Sequence, residues 1–219
     1  MEFQEVFAWS YEDMLGIDYE IAQHHIDTHD HMVPVKQKLR SMRTEGLLKI
    51  KEEVTKQLKV GFIKLVHQAE WIANVVLVPK NDGKVRVCVD FRDFNKPCPK
   101  DEFSLPHIDV LVDNTARSAL MSFMDGFSRY NQIKMAPKDM TKTTFTTKWG
   151  IYYYTVMSFG LENAGATYQR MATTLLHDMI VKSKDRGSHT INLRNFFKRI
   201  KEYRLRLNPQ KCTFGVTSG

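Results

Sequence analysis

The sequence predicts a mixed α+β fold, and three observations carry that prediction. Two tight-turn signals, Asn81-Asp82-Gly83 and Lys148-Trp149-Gly150, each sit between β-rich runs and read as hairpins. Apolar residues recur at helical spacing in separate stretches elsewhere. Strands and helices do not alternate as in a doubly wound sheet, and no Gly-rich phosphate loop of the Walker or Rossmann kind is present.

Taken in order, residues 1–43 form an N-terminal segment whose first 35 residues hold eight acidic side chains and no Lys or Arg. Phe3, Val6, Phe7 and Trp9 are its candidate anchors. It also holds His24, His25, His29 and His31, a group that raises a structural zinc site as one reading. No Cys or well-placed carboxylate completes a four-ligand set, and Asp27 and Asp30 read as turn residues.

A helix is expected from Thr44, with Leu47, Ile50, Val54 and Leu58 on one face and Gly61 as its stop. Ile72 to Val78 reads as a strand. The return strand, Lys84 to Phe91, places Val85, Val87 and Val89 on one face and Arg86, Cys88 and Asp90 on the other. Lys80 and Arg86 therefore flank one hairpin and can both reach an anion. Pro106 opens a short helix with Ile108, Leu111 and Val112 inward. Leu120 to Met124 is an apolar strand that stops on Asp125, and Gly126 turns the chain at once.

Thr143 to Thr147 and Ile151 to Met157 form the second hairpin. Asn163 is placed to cap a helix carrying Tyr168, Met171 and Leu175, which reads as unbroken through His177, Asp178 and Met179 to about Lys184, with Gly187 interrupting. A further helix carries Leu193, Phe196, Phe197 and Ile200, and Cys212 to Gly215 reads as a last strand.

The net charge of +7 is unevenly spread: beyond residue 35 the chain has 32 basic against 17 acidic side chains. Such a body suits a polyanionic partner, nucleic acid before membrane. The three cysteines, Cys88, Cys98 and Cys212, are dispersed, which suits free thiols in a reducing compartment. No apolar run approaches the roughly 18 residues of a membrane span, and the acidic start does not read as a targeting peptide.

Three stretches line up in order: Val85-Arg86-Val87-Cys88-Val89-Asp90-Phe91-Arg92-Asp93-Phe94-Asn95-Lys96, Ser122-Phe123-Met124-Asp125-Gly126-Phe127-Ser128-Arg129-Tyr130-Asn131-Gln132-Ile133, and Val156 to Arg170 through Phe159-Gly160-Leu161-Glu162-Asn163-Ala164-Gly165. Leu205 to Gly215 follows. Together they resemble the reverse transcriptases of gypsy-type LTR retrotransposons, with a plant-like character, over nearly the whole chain.

The resemblance implies a right-hand polymerase with fingers (44–118) and a partial palm (119–219), the two interleaved. It implies RNA or DNA template-primer and deoxynucleoside triphosphates as partners, two Mg²⁺ ions as cofactors, and a cytoplasmic, virus-like-particle or nuclear location. Asp125 matches the metal-binding catalytic carboxylate. Gly126 and Phe127 match the backbone facing the triphosphate, and Tyr130 the gate against a 2′-hydroxyl. Lys80 and Arg86 match the phosphate clamp, Phe159 and Gly160 the loop beside the incoming nucleotide, and Lys211 a candidate general acid.

One departure decides what the resemblance permits. The family's second catalytic motif, an aromatic, a variable residue and paired aspartates at a hairpin turn, is absent. Only one Asp178-Met179-Ile180 occurs, joined directly to Val181-Lys182-Ser183-Lys184. A segment of about a dozen residues is missing by comparison, and with it the expected central hairpin of the palm. Asp178 is left as the substitute metal ligand, on what reads as helix. Arg129 stands where relatives often carry a small residue. The expected outcome is a polymerase fragment without activity, or a remnant that only binds nucleic acid.

Overall fold

The computed structural model describes residues 2–29, 32–79, 83, 85–103, 118–176 and 179–217. In chain order the helices are α1 (Thr44–Lys59), α2 (Arg92–Asn95), α3 (Ala164–Leu176) and α4 (Arg186–Glu202). The strands are β1 (Gln23–His24), β2 (Ile63–Val66), β3 (Ala73–Pro79), β4 (Val85–Val89) and β5 (Leu120–Phe123). They continue as β6 (Lys134–Met135), β7 (Phe145–Thr147), β8 (Gly150–Tyr154), β9 (Ile180–Ser183) and β10 (Thr213–Thr217). The chain divides into one unit of Met1–Asp18, Glu102–Gln132 and Gly165–Gly219, and another of Tyr19–Asp101 and Ile133–Ala164.

The unit built on Tyr19–Asp101 and Ile133–Ala164 carries a five-stranded sheet of order β2-β8-β7-β3-β4. Both expected hairpins form: β3 pairs antiparallel with β4 from Val75 opposite Val89 to Pro79 opposite Val85, and β7 turns into β8 with Thr147 opposite Gly150. β3 and β7, distant in sequence, pair in parallel. Helix α1 buries Ile50 and Val54 and is followed by Gly61 at φ +77°, a left-handed position that favours glycine. Asp90, buried at the end of β4, accepts from Arg92 Nε and Nη2 at 2.8 Å each and from Arg40 Nη2 at 3.0 Å.

The other unit carries a three-stranded antiparallel sheet, β10-β5-β9, with β5 central. Leu120 faces Ser183 and Phe123 faces Ile180. Helix α4 buries Phe196 and Ile200, and α3 buries Met171, Ala172 and Leu176. The N-terminal segment is anchored here. Phe3 and Phe7 pack on Phe197 with ring centroids 5.5 and 5.9 Å away, and Val6 O accepts from Leu207 N at 2.8 Å. Glu2, Glu5 and Asp18 pair with Arg194, Lys201 and Arg204.

Several sequence expectations change. The helix after Asn163 does not reach Lys184. It ends at Leu176, and Ile180–Ser183 is a strand beside β5. Val181 and Ser183 point inward and alternate with the less enclosed Ile180 and Lys182, so pairing with a distant strand overrides local helix preference. The three-stranded sheet therefore keeps a strand on this side of β5. Gly187 lies inside α4 rather than breaking it, and Asp185 caps that helix by accepting from Ser188 N at 2.9 Å.

Asn163 does not cap α3. It sits at φ +62°, accepts from Asp101 N at 2.9 Å and donates to Pro99 O at 2.8 Å. Trp9 is 72% exposed, so its side chain is not one of the buried anchors. His24 is buried in β1, paired with β6, and His25 lies 3.8 Å from Asp139. Among the described residues no group of three or more His, Cys, Asp or Glu is placed to hold a metal. Also among them, no helix is long and apolar enough to cross a membrane. Lys80, Asn81, Asp82, His31, Asp178 and the Pro106 helix fall outside the described residues.

Candidate active site

Strand β5 delivers Asp125 to a fixed place. Met124 N donates to Met179 O at 2.9 Å, so β5 and the approach to β9 remain in register up to the residue before Asp125. Asp125 O accepts from Asn208 N at 2.7 Å, and Asp125 N donates to Cys212 Sγ at 3.4 Å. Burial pushes the Cys212 thiol up, which keeps it neutral in this role.

The turn after Asp125 is tied down equally closely. Phe127 N donates to Arg206 O at 2.9 Å. The buried side chain of Gln132 donates to Phe127 O at 2.7 Å and Arg206 O at 2.9 Å, and accepts from Arg206 N at 2.7 Å. Every polar group of that amide is used in joining the Asp125 turn to residues 205–208. Gly126 is buried, and Tyr130 meets Tyr168 edge-on with centroids 5.8 Å apart. Burial pushes the Tyr168 phenol up to about 12, so it remains a neutral donor.

The carboxylate of Asp125 is 13% exposed and faces two cations. The Arg129 guanidinium lies against Oδ1, and Lys211 Nζ stands 3.6 Å from Oδ2. Asp125, Gly126, Phe127, Tyr130 and Lys211 lie together in this unit. Gln132, Tyr168 and Cys212 belong to the same site and were not singled out by any motif chemistry. Arg129 was visible only as a bulky residue at a position for small ones.

A divalent ion of the magnesium type needs hard oxygen ligands held in position. Asp125 Oδ1 is buried without a hydrogen-bond partner although the Arg129 guanidinium lies against it, but the described residues offer a single carboxylate here, and one carboxylate does not make the donor set such an ion needs. The other unit holds a second cluster. Arg86, exposed on β4, lies over the Phe159 ring at 5.4 Å, and Gly160 at φ +92° offers its carbonyl to Asn95 Nδ2 at 2.8 Å.

Comparison with known proteins decides the family. A family model described as reverse transcriptase (RNA-dependent DNA polymerase) matches residues 78–218. The chain belongs to the reverse transcriptase family. It is 31% identical over 164 residues to the Retrovirus-related Pol polyprotein from transposon 412 of Drosophila melanogaster, covering 67% of this chain and 13% of that one. It is 27% identical over 175 residues to the transposon Tf2-3 polyprotein of Schizosaccharomyces pombe, covering 74% of this chain and 13% of the relative.

Among solved structures, the prototype foamy virus protease-reverse transcriptase superposes with a TM-score of 0.85 at 20% identity, over 97% of this chain and 30% of that one. The foamy viral enzyme in complex with an RNA/DNA hybrid gives the same TM-score at 19% identity, again over 97% and 30%. The fold is that of polymerase fingers and palm, and the chain is a retrotransposon reverse transcriptase domain. It spans well under a third of the curated relatives named here.

Proposed function

We propose that this chain is the fingers and palm part of a gypsy-type reverse transcriptase that has lost polymerisation and retains nucleic-acid binding. One observation carries the reading. Only three residues separate the end of α3 at Leu176 from the start of β9 at Ile180, and β9 pairs directly with β5. That length leaves no room for a further strand and turn ahead of β9, the place the family's paired aspartates require.

A two-metal reaction needs carboxylates from both sides of the reacting phosphate to hold two Mg²⁺ ions. Asp125 supplies one side. Phosphate-binding residues elsewhere, such as Arg86, stabilise the triphosphate but do nothing for the primer hydroxyl. Template-primer and deoxynucleoside triphosphates are the ligands this fold is built around, and the basic body beyond residue 35 supplies the electrostatic attraction.

The test is equilibrium binding of an RNA/DNA hybrid at several salt concentrations. The reading expects affinity that falls steeply and log-linearly with salt. Affinity too weak to measure at low salt would remove it.

A further inference from the structure

The Asp125 pocket carries more positive than negative charge. Arg129 and Lys211 face a single carboxylate, and both are largely exposed, at 57% and 67%, on their outer sides. Arg129 reaches Asp125 because the turn after β5 closes into a short 3-10 helix that starts at Arg129. This turn is held by Gln132 and by Asn208, whose own loop carries Lys211.

We infer that Arg129 takes the place of a divalent ion at Asp125, and that the resulting Arg129-Asp125-Lys211 cluster is a metal-independent site for a nucleic-acid phosphate. A guanidinium is always charged and offers several donors in a fixed fork. One side pairs with Asp125 by charge, without a hydrogen bond to Oδ1, and the exposed side of the guanidinium is open to a phosphate oxygen. Lys211 adds a second charge at the other carboxylate oxygen. Asp125 thereby changes role: it no longer collects cations from solution but orients two that are already present, and it partly cancels their charge.

This inference rests on the nucleic-acid reading above, and it reverses a sign. At a metal-dependent site, removing the carboxylate weakens binding, and chelation abolishes it. Here, removing the carboxylate unmasks two cations.

The experiment is fluorescence anisotropy of a labelled RNA/DNA hybrid with the wild-type chain, Asp125→Asn and Arg129→Ala, each in EDTA and in Mg²⁺ at the same ionic strength. The expected results are that wild-type binding survives EDTA, that Asp125→Asn binds about three- to tenfold tighter, and that Arg129→Ala binds weaker by a similar factor. Loss of wild-type binding in EDTA, weaker binding by folded Asp125→Asn, or tighter binding by Arg129→Ala would overturn the inference. Should Asp125→Asn fail to fold by circular dichroism, the exposed Arg129→Ala variant decides alone. Absence of any wild-type binding would instead overturn the nucleic-acid reading on which this one depends.

Discussion

Gly126 and Tyr168 are packed so closely that a Cβ on Gly126 would lie 2.9 Å from the Tyr168 hydroxyl oxygen. It would also lie 3.3 Å from Arg129 Cγ. The glycine beside Asp125 is therefore required by a close approach rather than by an unusual φ. Gly126→Ala should cost about 1–3 kcal/mol, the range for overpacking a filled site. Tyr168→Phe removes the contacting oxygen, so in that background the same change should cost much less. Urea denaturation of the two single mutants and the double mutant checks the coupling, and equal costs in both backgrounds would place the strain elsewhere.

Beneath the site, one buried imidazole joins three strands and a helix. His189 Nε2 lies 2.8 Å from Ser122 Oγ on β5, and Nδ1 lies 2.9 Å from Ser183 Oγ on β9. Gly215 N on β10 donates to Ser122 Oγ at 3.0 Å, and Asn192 Nδ2 donates to Ser183 Oγ at 2.9 Å. His189→Leu takes one of the partners from each of two buried hydroxyls and should destabilise by about 2–4 kcal/mol, whereas Ser122→Ala should cost about 1 kcal/mol. The midpoint of chemical unfolding reads both, and a neutral His189→Leu would show that the network contributes nothing net.

His24 should make stability depend on pH. Burial holds its imidazole down to about 4, against an ordinary value of 6.5, with Asp139 offsetting part of that effect. The folded pKa is the lower one, so the unfolded chain takes up the proton first. The contribution is fully present above pH 6.5 and is lost as pH falls towards 4, by about 3 kcal/mol over that window. His24→Gln should lower stability at neutral pH but flatten this slope. An unchanged slope in the mutant would assign the acid sensitivity to another group.

Arg86 offers a test on the fingers. Its guanidinium is exposed and stacked over Phe159. Arg86→Ala should weaken nucleic-acid or triphosphate binding by about 1–3 kcal/mol, and Arg86→Lys should recover only part, because an ammonium lacks the planar face. Isothermal titration at low salt measures both, and full affinity in Arg86→Ala would remove this contact from the account.

What the sequence made legible follows from how local each signal is. The β3–β4 and β7–β8 hairpins were readable because turn chemistry and two-residue alternation lie within one short stretch. The end of α3 was not. Nothing in His177-Asp178-Met179 breaks a helix, and Ile180–Ser183 becomes a strand only because β5, some sixty residues earlier, pairs with it. The buried state of His24 was hidden for a similar reason. It sits in an acidic, polar segment, and its burial depends on pairing with β6 more than a hundred residues later. The Arg129 contact with Asp125 was half-visible: the unusual residue was apparent, and its target required the turn.

The central claim is that a palm with its carboxylate on one strand only cannot polymerise, and primer extension tests it most directly. A primed RNA template, deoxynucleoside triphosphates and Mg²⁺ or Mn²⁺ are incubated with the wild-type chain and with Asp125→Asn, at protein concentrations that saturate template binding. The account predicts no extended product from either protein. Extension by the wild-type chain that disappears in Asp125→Asn would contradict it, because Asp125 would then be working with a metal site that these residues do not provide.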